Sequence, residues 1–251
     1  MRIAVWFSCG AASAVALKLA IDKYGKDAVL AVNNPVLEEH PDNLRFKKEV
    51  SEYLQIPIEE AKNSTYPEAS AVGVWAHRRY MSGVAGAPCT TQLKKEARYQ
   101  WEAKNVVDYH ILGFTADEEK RHKRFISTER ENVLPILIQE GFTKKHCFDE
   151  VQRWGISLPA MYHLGYPNAN CIGCVKSSSP AYWNHVRKVH PAIFEERARQ
   201  SRELGCRLVE KTFDGVKHRY FLDELPESWG AGRKLGPMPE CSSFCEEGPI
   251  K

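Results

Sequence analysis

No stretch of the 251-residue chain stays apolar for the roughly 20 residues that a membrane-crossing helix needs. The apolar run at residues 3–7 is too short for a signal peptide, and it leads directly into a small-residue loop. A cytoplasmic protein with no membrane contact is expected. Charge of one sign is also scarce: 35 Lys and Arg against 32 Asp and Glu leave a formal net charge of +3. That balance supplies no general field for a polyanion, so a nucleic-acid partner would need a local basic patch. Internal repeats and low-complexity tracts are lacking too, which sets repeat architectures aside.

What is present is an ordinary globular composition, 43% hydrophobic and 27% charged, able to form a core without disulfide staples. Cysteine is not scarce: the chain has eight, at Cys9, Cys89, Cys147, Cys171, Cys174, Cys206, Cys241 and Cys245. A reducing cytoplasm argues against a disulfide framework, and clustered cysteines then point to a metal, a redox centre or catalysis. Cys147 and Cys206 stand apart and read as small core residues.

Apolar runs at residues 3–7, 28–32, 56–60, 106–113 and 132–136 read as five strands. Helical patterns fall between them at 11–24 and 41–54, and a further one follows at 143–154 with Thr143 as N-cap. In the second helix Phe46, Val50, Tyr53 and Leu54 share one face. Strands alternating with helices predict an α/β fold, doubly wound around a mainly parallel five-stranded sheet. Residues 64–92 read as a long functional loop with a helix inside it. Beyond residue 155, Pro159, Pro167, Pro180 and Pro191 punctuate the chain, and helices are expected at 180–189 and 193–204. A β-hairpin is expected at 207–221 around Asp214 and Gly215, followed by a Gly- and Pro-bearing tail.

Two local strings carry chemistry. The first, FSCGAASAVA, joins the first strand to the first helix, where open α/β sheets bind ligands. Gly10 and the alanines let a ligand approach the backbone. The helix N-terminus offers free N–H groups and a positive dipole end, and Ser8 and Ser13 add hydroxyls. An anion site for phosphate or sulfate is one reading, and a close-packed turn is the other. The second string, NCIGCVKSSSP, places Cys171 and Cys174 around Gly173 so that both sulfurs can face one centre. The Pro- and Gly-bearing loop before it is not the strand–helix context of a thioredoxin-type pair, which favours metal over thiol redox.

The first loop resembles the serine-rich phosphate loop of the phosphoadenosine phosphosulfate (PAPS) reductase family. More distantly it resembles the SGGxDS loop of ATP pyrophosphatases in the adenine nucleotide alpha-hydrolase-like (PP-loop) superfamily. Ser8, Gly10 and Ser13 match in position, whereas Ala12 stands where the ATP-type loop has an acidic residue. That departure moves the comparison toward the sulfonucleotide side. GAPCTTQLKKEA, ILGFTADEEKRHKRF and LPILIQEGFTKKHCFDEVQRWGI are similar to further family segments, so the resemblance spans roughly residues 1–195.

The resemblance implies a nucleotide-binding α/β domain at residues 1–155, with a metal-bearing extension at 156–251 packed on the same core. It implies an adenine nucleotide held by Ser8, Cys9, Gly10, Ala11, Ser13 and Lys94. Arg121 and Arg124 would clamp phosphate or sulfate, a task for the planar guanidinium, although a charged stretch of this kind is otherwise a solvated face. Lys95 reads as solvated. Iron–sulfur members of the family imply Cys89 as a third ligand beside Cys171 and Cys174, with the fourth from Cys241 or Cys245. A [4Fe–4S] cluster is the first expectation and zinc the second. PECSSFCEEG is loosely similar to the family tail that carries the nucleophilic cysteine, which would make Cys241 catalytic and Cys245 a ligand. The expected activity is sulfonucleotide reduction with a thiol reductant. The alternatives are a nucleotide-dependent sulfur transferase that modifies a nucleic acid, and a non-enzymatic nucleotide or cluster sensor.

Overall fold

The computed structural model describes residues 1–83 and 86–236. The chain runs through β1 (Ile3–Trp6), α1 (Ala11–Tyr24), β2 (Val29–Asn33), α2 (Asp42–Leu54), β3 (Ile58–Glu60) and α3 (Ala71–Arg78). It continues through α4 (Pro88–Thr90), a π-helical stretch (Thr91–Glu96), α5 (Ala97–Glu102), β4 (Tyr109–Ile111) and α6 (Glu119–Thr128). Next come α7 (Ile136–Gln139), α8 (Lys144–Arg153), α9 (Ala160–His163), α10 (Pro180–Val189) and α11 (Pro191–Glu203). A hairpin of β5 (Val209–Phe213) and β6 (Val216–Tyr220) follows.

The main sheet is parallel and has four strands in the order β3-β2-β1-β4. Every residue of β1 is buried, as a central strand covered on both faces requires. Ile3 and Val5 enter a cluster with α1, α2, α7 and α8, while Ala4 and Trp6 enter a second cluster with Trp101 of α5 and Phe125 of α6. The period-two alternation of a strand thus seats one helical layer on each face.

The expected fifth strand is absent among the described residues. Its only ladder contact is a single parallel bridge from His110 to Val133. After Leu134, whose N–H donates to the His110 carbonyl, Pro135 cannot donate to a ladder, and the chain turns into α7. The hairpin forms as expected, with Asp214 and Gly215 both at positive φ in the two-residue turn. No helix among the described residues is long and apolar enough to cross a membrane.

A third apolar cluster joins Val74, Trp75 and Leu93 to Tyr182, Trp183, Val186, Phe194 and Val209. The C-terminal helices therefore share their core with residues from both α3 and the π-helical stretch.

Candidate nucleotide cleft and cysteine loop

The strand order reverses between β2 and β4 on either side of β1, so a crevice opens beyond the carboxyl ends of β1 and β4. The loops after these two strands meet there. A Cβ at Gly113 would lie 3.0 Å from the Ser13 backbone nitrogen, so a side chain there would push the two loops apart. The cleft is lined by Ser8, Gly10, Ala12, Ser13, Glu39, Lys94, Gly113, Thr115, Glu118, Lys144, Tyr162 and Asn168–Asn170.

Within the loop, Ser13 is a hub. Its Oγ accepts from the Ser8 backbone N–H at 3.0 Å and donates to the Gly10 carbonyl at 2.8 Å, with the Ser8 hydroxyl 3.3 Å away. Gly10 precedes α1 and no side-chain hydrogen bond caps the helix, so its N-terminal N–H groups are left for a ligand in the crevice, beside the Tyr162 and Ser8 hydroxyls. Cys9 adopts a left-handed φ of 55° and turns inward, 3% exposed, where Asn33 Nδ2 lies 3.8 Å from its Sγ. Burial above all, and then the Glu39 carboxylate, push its thiol well above the ordinary range. Cys9 and Ala11 thus pack into the core, and Ser8, Gly10 and Ser13 line the cleft.

Two lysines supply positive charge. Lys94, on the π-helical stretch, is buried and reaches Glu39 at 3.0 Å and the Asn34 carbonyl. A π segment widens the helix locally and is frequent at functional sites. Lys144, the first residue of α8, reaches the Pro167 carbonyl and Asn168 Oδ1. Lys144 escaped the sequence reading because its segment looked architectural; its place at a capped helix start beside Gly141 was the available signal. Arg121 and Arg124 do not line the cleft: Arg121 bonds Glu118 Oε1 at 2.5 Å and stacks on Phe114, and Arg124 is exposed on α6. Lys95 pairs with Glu129 at 3.2 Å.

The cysteine loop lies next to the cleft. Gly173 takes a left-handed φ of 67° between Cys171 and Cys174. The Ile172 N–H donates to the Glu38 carbonyl at 3.0 Å, next to the Glu39 that holds Lys94. The Cys174 N–H donates to the Tyr182 hydroxyl at 2.6 Å. Burial first, and then the neighbouring Cys174, raise the Tyr182 phenol far above its usual range. Cys89, Cys171 and Cys174 all join the third apolar cluster. Among the described residues, no three His, Cys, Asp or Glu side chains are gathered closely enough to hold a metal ion by themselves. The thiol donors suit soft metal ions, but a site here needs further sulfur, and Cys241 and Cys245 lie outside the described residues. Cys147 and Cys206 are buried, and burial pushes the Cys147 thiol up to about 12.

No protein-family model matches the chain, and no curated protein matches it.

Proposed function

We propose that the protein is an enzyme of sulfur chemistry, similar to the PAPS reductases, that binds an anionic adenine sulfonucleotide in the cleft. One observation carries the reading: the uncapped N-terminus of α1, at the end of β1, shares a crevice with Lys94 and Lys144. Backbone N–H groups at a helix start and lysine ammonium groups are the standard means of holding phosphate and sulfate. The incoming anion replaces Glu39 as the partner of Lys94 and gains a charge-assisted bond from Lys144. Ala12 supports a sulfonucleotide over ATP, since the ATP-type loop carries an acid there.

In this reading the Cys241 thiolate attacks the sulfate sulfur, the S–O bond to the nucleotide phosphate breaks, and the nucleotide leaves. A second thiolate from a small or protein thiol reductant then attacks the Cys241 sulfur. Sulfite departs with the electron pair and a disulfide remains. Cys89, Cys171, Cys174 and Cys245 would hold a [4Fe–4S] cluster, or zinc in its place. If bound by these cysteines, the group would supply an electron-accepting or a structural centre.

Calorimetry with adenosine phosphosulfate, its 3′-phosphorylated form, ATP and AMP tests the reading. A phosphosulfate should bind best, and Lys144→Ala should weaken it by about 1.5–3 kcal/mol, the worth of a charged hydrogen bond. Preference for ATP would shift the assignment to the sulfur transferase, and binding of none of the four would defeat the nucleotide site.

A further inference from the structure

We infer that a second cleft, built on α10 beside the nucleotide cleft, is a binding site for single-stranded nucleic acid. The inference goes beyond the sulfonucleotide reading and does not depend on it.

One face of α10 forms the floor of this cleft. Ala181, Asn184, His185 and Lys188 follow at i, i+3, i+4 and i+7, so they line it together. Both walls are fastened to that helix. On one side Asn184 Nδ2 donates to the Pro226 and Trp229 carbonyls at 2.9 and 2.8 Å. The chain beyond the hairpin is thereby held against α10. Gly230, at a left-handed φ of 79°, runs so close that a Cβ would lie 2.6 Å from the Ala181 backbone nitrogen. On the other side His185 Nε2 donates to the Leu164 carbonyl at 2.8 Å and holds the turn at 164–167. The space between the walls is about 600 Å³.

The charge on these walls has one sign. Lys188, Arg233 and Lys234 line the cleft and are exposed, and no carboxylate lines it among the described residues. None of the three cations has an ion-pair partner among the described residues. On the neighbouring α11 the pattern is the opposite: Arg199 pairs with Glu203, and Arg202 with Asp223 and Glu224. Three uncompensated cations around one concavity create the local positive field that the net charge of +3 does not supply over the whole chain.

The exposure of the cations decides the size of the anion. A small-molecule site buries most of its ligand. A small anion at an exposed rim would stay hydrated and screened by salt. A chain of phosphates instead gains from each cation in turn, because every contact releases counterions. A duplex is a convex rod that takes protein elements into its grooves, whereas a cationic concavity with an aromatic wall suits a single strand. Tyr162 provides that wall. It is half-buried and lines the nucleotide cleft as well. A strand in the second cleft therefore passes directly beside the proposed sulfonucleotide site.

Fluorescence anisotropy of the full-length protein tests the site, with labelled single-stranded RNA and DNA of about ten nucleotides as probes. Wild type should bind at least one of them, with an affinity that falls as salt rises. The triple variant Lys188→Gln, Arg233→Gln, Lys234→Gln should bind about tenfold more weakly or worse. Its salt slope should shrink by about 2, since each phosphate contact to a single strand contributes about 0.7. A control triple, Lys26→Gln, Lys48→Gln, Lys104→Gln, removes the same charge from exposed positions outside the cleft and should bind like wild type. Equal losses in the two triples would mean a general charge effect and overturn the proposal. So would no binding of either strand. Equal affinity for a duplex of the same sequence would overturn the single strand. Displacement by inorganic phosphate at matched ionic strength would make the cleft a small-anion pocket. Equal binding of a polyglutamate peptide would assign it to an acidic protein instead, and either result defeats the inference. Should the triple variant fail to fold, Ala231→Glu, which sets a carboxylate among the cations on the exposed loop, replaces it under the same criteria. Sulfonucleotide calorimetry is a separate measurement, so either reading can fail without the other.

Discussion

Ser13 shows how a residue that reads as a ligand donor can serve the loop itself. Its hydroxyl is committed to Ser8 N–H and the Gly10 carbonyl, and the residue is 1% exposed. Ser13→Ala would leave the Ser8 N–H unpaired inside the loop, so the expected loss is about 1–3 kcal/mol of stability. Ser8 is only half-buried, so Ser8→Ala should cost less stability and act chiefly on anion affinity. Thermal unfolding and nucleotide titration of the two variants separate these roles. Equal melting points for the two would contradict the hub assigned to Ser13. At this scale the sequence is informative where a residue's neighbours in the chain are also its neighbours in space, as from Ser8 to Ser13. Lys144 and Tyr162 reach the same cleft from more than 100 residues away, and no local pattern announces them. Arg121 is the opposite case: it sits near a strand end, as a clamp should, yet a carboxylate one turn away, Glu118, already holds it.

Elements were legible where a cap or a periodic face defined them. Phe46, Val50 and Leu54 of α2 are all buried, as their spacing predicts, whereas Tyr53 stays 46% exposed and stacks on Trp154. Thr143 caps α8, its Oγ1 accepting from the His146 N–H at 3.3 Å. The run around Leu134, Ile136 and Leu137 was not legible. A short apolar segment suits a buried strand or a buried helix equally, and here Pro135 decides for the helix. Nor does any residue pattern mark the π-helical stretch that carries Lys94. The cap gives a test at this scale. Thr143→Ala should cost about 1 kcal/mol, or about 2–4 °C in melting temperature for a chain of this length. Because Lys144 opens the same helix, the variant should also weaken anionic-nucleotide binding. A melting point within error of wild type would mean that packing of α8 on α1, not the cap, fixes the helix start.

Across the whole molecule, several histidines are built in as neutral groups, and they make stability depend on pH in a definite direction. His110 on β4 is 3% exposed, and its Nδ1 accepts a hydrogen bond from Trp6 Nε1 at 3.1 Å, so the ring enters the core uncharged. Burial first, then the cations Arg130 and Arg98, hold its pKa down to about 3. Burial also lowers His122, and it lowers His190 with His40 and His185 adding to the effect. In the unfolded chain each titrates near the ordinary value of about 6.5. Between that value and the depressed one, the unfolded state binds protons that the folded state refuses. Their stabilising contribution is therefore complete above about pH 6.5 and is lost progressively as pH falls toward 3. Lower still, protonation of Asp42 and Glu60, both held below their usual range chiefly by hydrogen bonds from Arg45 and Lys47, acts in the same direction. Denaturant unfolding from pH 7.5 down to 4.5 should show falling stability, with His110 alone contributing a slope approaching about 1.4 kcal/mol per pH unit below 6. His110→Asn keeps an acceptor for Trp6 but cannot titrate. It should be less stable at pH 7.5 and lose less on acidification, its slope smaller than wild type by that amount. Parallel pH profiles for the two proteins would mean that His110 charges without penalty in the folded state, against its burial between Trp6 and the two arginines.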